Sequence, residues 1–94
     1  SFLKTLLKKL EMESPFPLKT IIIEACSIAQ LDSSADSVLH DIADDFKERN
    51  IELKFASVKV PVLRVMKASG LYDKIKERNF FMNIDDAVQG ESSQ

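Results

Sequence analysis

Apolar positions at helical spacing indicate two amphipathic helices in the first half of the chain. The first is predicted over residues 1–12, and we expect its apolar stripe to pack on a sheet. The prolines within Ser14–Pro17 are predicted to end it. The second helix is predicted to begin at Asp32–Ser34 and to end near Asn50, because polar residues of these types favour helix termini.

Three segments between the helices have the composition of strands. Leu18–Cys26 is rich in isoleucine without alternation, which predicts a central strand buried on both faces. Ile51–Ser57 alternates apolar and polar residues, and Phe80–Met82 is a short apolar run. A third helix is predicted from Pro61 through about Ala68, closed by Gly70, and a last helix from Asp85. The order α-β-α-β-α-β-α predicts an α/β fold with parallel strands.

The composition is that of one small globular domain. The chain has 94 residues, 45% of them hydrophobic, and a formal net charge of −2 that gives no reason to expect a nucleic-acid partner. Its single cysteine, Cys26, excludes an intrachain disulfide and is predicted to be buried at the end of the first strand. We predict a domain over residues 1–89 and a disordered tail over residues 90–94. No apolar run is long enough for a membrane span.

Charge is distributed unevenly along the chain. Residues 33–49 contain five acids and two bases, whereas residues 58–78 contain six bases and two acids. Both stretches are open to two interpretations, as solvated surface or as docking surface. As a possible partner face we single out the acids of the second helix: Asp41, Asp44, Asp45 and Glu48.

The sequence contains few residue patterns that are typical of catalytic sites. His40 has acidic neighbours four residues away on either side and is predicted to be solvated. With two glycines and no His or Cys set at metal-ligand spacing, we expect no phosphate loop, no metal, no cofactor and no enzymatic activity. Asp32, Ser33 and Ser34 remain as the candidate site, either as a helix cap or as a phosphorylation or anion-contact site.

Three stretches carry a resemblance to a known family. The apolar strand that leads into Asp32-Ser33-Ser34-Ala35 resembles the strand and Asp-Ser-Ser-Gly turn of the STAS family (sulfate transporter and anti-sigma-factor antagonist). Val60–Asp73 is similar to the segment in which a helix ends in a Ser-Gly-Leu turn. Phe80–Val88 is similar to the ending Phe … Asp-Ala-Val, which is more typical of domains attached to SulP-type (SLC26-like) anion transporters than of free antagonists.

The resemblance implies a small STAS-like sheet with helices packed on it, here without the first strands of the family. It implies a non-catalytic regulatory domain on the cytoplasmic side of the membrane, soluble when excised, that docks to the transporter's membrane domain, a second protomer or a cytosolic protein. Two alternatives stay open: an anti-sigma-factor antagonist phosphorylated at Ser34, and a nucleotide- or anion-binding module. The family's turn glycine is Ala35 here, which argues against regulated phosphorylation.

Overall fold

Five α-helices and three strands make up the part of the chain that the structure describes. The structure is a computed structural model that describes residues 2–13 and 19–92. The predicted break at Ser14–Pro17 lies outside these residues. The elements are α1 (Phe2–Glu13), β1 (Thr20–Glu24), α2 (Ser33–Glu48), β2 (Glu52–Ala56), α3 (Val60–Ser69), α4 (Leu71–Ile75), a 3-10 turn (Glu77–Asn79), β3 (Phe80–Phe81) and α5 (Ile84–Ser92).

The three strands form one parallel sheet in the order β1-β2-β3. Ile22 is in register with Lys54, and Phe55 is in register with Phe80. Within the described residues β2 is therefore the central strand, and the prediction that the Ile21–Ala25 strand is central was wrong. Ile21, Ile22 and Ile23 are only partly buried, because β1 is paired along one edge.

The main core lies on one face of the sheet. Leu53 and Phe55 of β2 pack there with buried side chains of α2, α3 and α4, among them Phe46, Met66 and Leu71. The ring of Phe80 stacks between two others, with centroids 5.4 Å from Phe55 and 4.6 Å from Tyr72. The layers of an α/β fold are thus present as predicted.

Helix α5 covers the opposite face. Ala87 is fully buried there, and a Cβ atom at Gly90 would come within 3.3 Å of the Phe81 ring. Because of this cover, Lys54 and Ala56 are buried as well as Leu53 and Phe55, so burial along this strand does not follow the alternation seen in its sequence. The Lys54 ammonium group lies 5.5 Å from the centre of the Phe81 ring, a cation–π distance.

The helix ends follow the capping rules in most cases. Asn50 has a left-handed backbone (φ 58°) directly after α2, Pro61 lies in the first turn of α3, and Gly70 ends α3 with φ 84°. Sequence reasoning missed α4, which restarts directly after Gly70 and buries Leu71 and Ile75. Helix α5 continues to Ser92, so Gly90 is helical; the domain boundary at residue 89 stays a prediction.

Two predicted burials do not occur. Cys26 is exposed, because Ala25 occupies the last buried position and the Cys26 N–H donates to Glu24 Oε1 in the turn that follows β1. On α1, the side chains of Leu6 and Leu10 are more than two-fifths exposed, so these members of the apolar stripe are not packed as predicted.

Candidate functional site

The turn Asp32–Ser34 forms the start of α2, beyond the carboxyl end of β1. Asp32 has an extended backbone (φ −83°, ψ 171°), and its Oδ1 accepts a hydrogen bond from the Ala35 N–H at 2.8 Å. This is the geometry of an N-cap, which satisfies a backbone donor that the helix leaves open. The capping interpretation of Asp32 is confirmed.

Ser33 and Ser34 occupy the first two helical positions, and both are exposed. Their hydroxyl groups are therefore accessible to solvent at a helix N-terminus, where an anion is electrostatically favoured. Two acids lie beside them, since Asp32 caps the helix and the buried Asp36 follows within the first turn. A phosphate group here would gain from the helix terminus and be opposed by these carboxylates. A phosphorylation or anion-contact role for Ser34 stays a prediction.

His40 is part of a polar cluster between helices, and the prediction that it is solvated was wrong. Its Nε2 lies 3.4 Å from Asp36 Oδ2 and 3.2 Å from Ser69 Oγ, and its side chain is 22% exposed. The Ser69 hydroxyl donates to Asp36 Oδ1 at 3.1 Å. The cluster joins α2 to the end of α3, and the hydroxyl of Ser69 also accepts from the Leu71 N–H at the start of α4.

The cluster contains the residue types of a catalytic triad but not its arrangement. In a triad the two ring nitrogens of histidine bridge a nucleophile and an orienting carboxylate. Here one nitrogen, Nε2 of His40, faces both Asp36 and Ser69, and those two side chains contact each other directly. The arrangement holds three elements together. The spacing of Asp36 and His40 was visible in the sequence, but no local pattern indicated Ser69.

The four acidic residues in the second half of α2 share one exposed side of the helix. Asp44 Oδ1 is 3.1 Å from Lys74 Nζ on α4, and Asp45 Oδ2 is 2.6 Å from Arg49 Nη2 on the next turn. These two charges are therefore compensated within the chain. All four members of the predicted partner face are exposed: Asp41, Asp44, Asp45 and Glu48.

In residues 2–13 and 19–92 no group of three or more His, Cys, Asp or Glu side chains is placed to hold a metal ion. Over the same ranges, every helix is too short or too polar to cross a membrane.

The family is decided by comparison with known proteins. The family model of the STAS domain matches residues 1–87 of this chain. The chain belongs to the STAS domain family. Among curated proteins, "Probable sulfate transporter 4.2" of Arabidopsis thaliana is 32% identical over 69 residues, and "Sulfate transporter 4.1, chloroplastic" of the same plant is 29% identical over 69 residues. Each match covers 73% of this chain and 10% of the relative, so the STAS chain spans about a tenth of these proteins.

Three solved structures share the fold of this chain. A sulfate transporter family protein from Wolinella succinogenes has a TM-score of 0.81 at 16% identity, over 97% of this chain and 75% of that one. The SulP transporter STAS domain from Vibrio cholerae has a TM-score of 0.82 at 12% identity, over 99% of this chain and 76% of that one. The overall structure of SLC26A9 has a TM-score of 0.74 at 18% identity, over 99% of this chain and 16% of that one. The predicted resemblance to STAS domains of SulP-type and SLC26-type proteins is confirmed.

Proposed function

We propose that this STAS domain is a non-catalytic regulatory and interaction domain on the cytoplasmic side of a SulP-type anion transporter. The observation that carries the proposal is the match to a short part of two sulfate transporters, about a tenth of their length. In SLC26A9 too, the matching part is 16% of the chain. A domain that is a minor part of a transporter acts on the remainder by docking. The membrane domain, a second protomer and a cytosolic protein are the partners proposed.

The geometry of the polar cluster supports a non-catalytic role. Asp36, His40 and Ser69 contact one another in a triangle, so no base is placed between a nucleophile and an orienting group. The proposed function therefore requires no cofactor and no chemical turnover.

The acidic side of α2 is the proposed docking face. Exposed ion pairs such as Asp45–Arg49 contribute about 0–1 kcal/mol to stability, so folding alone gives little reason for a row of four acids. Charged surfaces of one sign contribute more to association rate and specificity. Asp41 and Asp45, one helical turn apart, are the residues through which we test this face.

Photo-crosslinking in the complete transporter tests the docking face. A photoreactive residue at position 41 or 45 is expected to crosslink to the membrane domain, a second protomer or a cytosolic protein. The matched control is the same residue at position 64, because Arg64 is exposed on a different helix. Equal crosslinking at all three positions, or none at 41 and 45, would contradict the proposal.

Charge reversal gives an independent measurement of the same face. Asp41→Lys with Asp45→Lys is expected to leave the melting temperature nearly unchanged and to weaken association at low salt more than at high salt. The reason is that exposed charges are screened over about 8 Å at physiological ionic strength. An unchanged partner affinity at low salt would reduce this face to plain solvation.

The exposure of Ser34 supports a second candidate, a phosphorylation switch of the kind proposed for anti-sigma-factor antagonists. Ser34→Asp is expected to change partner binding or transport while the fold stays intact, and Ser34→Ala to abolish the regulated response. Ser37→Ala is the matched control, because Ser37 is exposed one turn later on the same helix. If both Ser34 variants bind and transport like the wild type, this candidate is excluded.

A further inference from the structure

A cleft of about 200 Å³ lies at the amino ends of β2 and β3. This is the end of the sheet opposite to the Asp32–Ser34 turn. One wall is the last turn of α2, and the other is the segment from α4 through the 3-10 turn. Its apolar lining comes from Phe46, Ile51, Leu53 and Ile75, which are all buried core residues. The cleft is therefore formed by fixed parts of the domain.

Four cationic side chains, each from a different segment, line this cleft. Lys47 comes from the last turn of α2, Lys74 from α4, Lys76 from the link that follows, and Arg78 from the 3-10 turn. One carboxylate, Glu52, lines it as well. Lys74 is paired with Asp44, and a cation at the end of α2 also complements the helix dipole. Neither of these two roles, the ion pair with Asp44 or the position at the end of α2, accounts for the other two cations, Lys76 and Arg78.

The backbone of Lys76 has a conformation that favours glycine. Its φ of 85° and ψ of 142° lie in a region that L-residues with a side chain rarely adopt, and such outliers cluster at ligand sites. The conformation is held from both sides. The Lys76 N–H donates to the Tyr72 carbonyl at 2.8 Å, and its carbonyl accepts from the Asn79 N–H at 3.0 Å. The buried Asn79 side chain donates to the Ile75 carbonyl at 2.8 Å, which fixes the same loop.

We propose that this cleft binds a phosphate monoester group. A guanidinium group donates two parallel hydrogen bonds to a phosphate, and an ammonium group adds a point charge, so Arg78 and Lys76 together suit a doubly charged oxyanion. The apolar lining gives room for the carbon atoms attached to the phosphate. The ligand is either a small phosphorylated molecule or a lipid that carries a phosphate monoester, such as phosphatidic acid, since both present the same chemistry.

Binding is tested on the 94-residue chain with two probes that carry the same group. Glycerol phosphate is titrated while amide NMR signals are followed, with acetate at equal ionic strength as the control anion. Phosphatidylcholine vesicles with and without phosphatidic acid are tested by co-sedimentation. We expect shifts at residues 74–79 and at Lys47 with glycerol phosphate but not with acetate. Binding of the free molecule alone assigns a small ligand, and additional binding to phosphatidic acid vesicles assigns a lipid headgroup.

Two variants separate binding from folding. Arg78→Gln is expected to weaken glycerol phosphate binding about tenfold, the effect of losing a charge-assisted hydrogen bond. Lys76→Gly is expected to weaken binding while the urea midpoint stays the same or rises, because glycine adopts the observed φ without strain. Arg64→Gln, on the exposed side of α3, is the matched control and should leave the affinity unchanged.

Two results would overturn the proposal. One is the absence of any response to both glycerol phosphate and phosphatidic acid vesicles. The other is an equal loss of affinity in Arg64→Gln and Arg78→Gln, which would mean that the net charge of the chain, rather than this cleft, attracts the anion.

Discussion

Asp36 and Ser69 are expected to be energetically coupled, although 33 positions separate them in the sequence. Asp36 is 7% exposed, and its Oδ1 accepts from the Ser69 hydroxyl at 3.1 Å. Replacing Asp36 by alanine removes this acceptor and the contact with His40 Nε2. Replacing Ser69 by alanine removes the donor and leaves a buried carboxylate with one partner fewer. The double replacement removes both groups, so its cost should be smaller than the sum of the single costs.

The magnitudes follow from hydrogen bonding to a buried charge. One such bond contributes about 1.5–3 kcal/mol, so Asp36→Ala, which removes the Ser69 hydrogen bond and the His40 contact, should lower the free energy of unfolding by at least that amount. Ser69→Ala should cost about 1–2 kcal/mol, because His40 continues to contact Asp36. We expect a coupling energy of about 1–2 kcal/mol, within the range for residues in contact. A domain of this size has a total stability of about 5–14 kcal/mol, so all variants should fold.

The assay is urea unfolding followed by circular dichroism for the wild type, the two single variants and the double variant. A coupling energy of 1–2 kcal/mol corresponds to a displacement of the midpoint by about 0.5–1.5 M urea from the additive value. Met82→Ala combined with Asp36→Ala is the additive control, since the Met82 side chain is almost fully exposed in the loop before α5. If the free-energy losses of Asp36→Ala and Ser69→Ala add up to the loss of the double variant to within about 0.3 kcal/mol, the view that the cluster joins α2 to α3 is refuted.

Three further predictions concern stability at other positions in the domain. Phe55→Ala in β2 should lower the free energy of unfolding in urea by about 3–5 kcal/mol and Ile22→Ala in β1 by clearly less, because Phe55 is fully buried and Ile22 only partly. Equal losses would contradict the central position of β2. Asp32→Ala should lower the free energy of unfolding by about 0.5–2 kcal/mol, and Asp32→Ser by only a small part of that, because serine also caps helices. An equally large loss in both variants in urea unfolding would exclude the capping role. Asn79→Ala should cost about 1–3 kcal/mol, because it leaves the Ile75 carbonyl without its side-chain donor, and a neutral effect in thermal unfolding would contradict this.

Local signals in the sequence predicted the elements and the cap well. Helix α2 has apolar residues at helical spacing, Asp32 before its first turn and Asn50 after its last, and each of these acts within a few residues of its own position. The layer order followed in the same way, since strands that alternate with helices pair in parallel.

Burial was predicted less well, because it depends on what packs from elsewhere in the chain. Lys54 has the sequence context of a solvent-facing strand residue, yet α5 covers that face of β2. The apolar run of β1 suggested burial on both faces, but Ile21, Ile22 and Ile23 are only partly buried. Among the described residues, β1 has a neighbouring strand along one edge and none along the other. Cys26 differed for a local reason, since the strand ends two residues earlier than its apolar composition suggests.

Helix α2 places the two candidate sites at opposite ends of the domain. Its N-terminus carries Asp32–Ser34, and its last turn carries Lys47, which lines the basic cleft. Sixteen residues at a rise of 1.5 Å separate these ends by about 24 Å, beyond the distance over which exposed charges act at physiological ionic strength. A charge introduced at Ser34 should therefore leave phosphate binding in the cleft unchanged. If Ser34→Asp does alter that affinity, the coupling must be mechanical. The partly buried hydrogen bond between Asp36 and Ser69 is then the contact through which a change in α2 would reach α4.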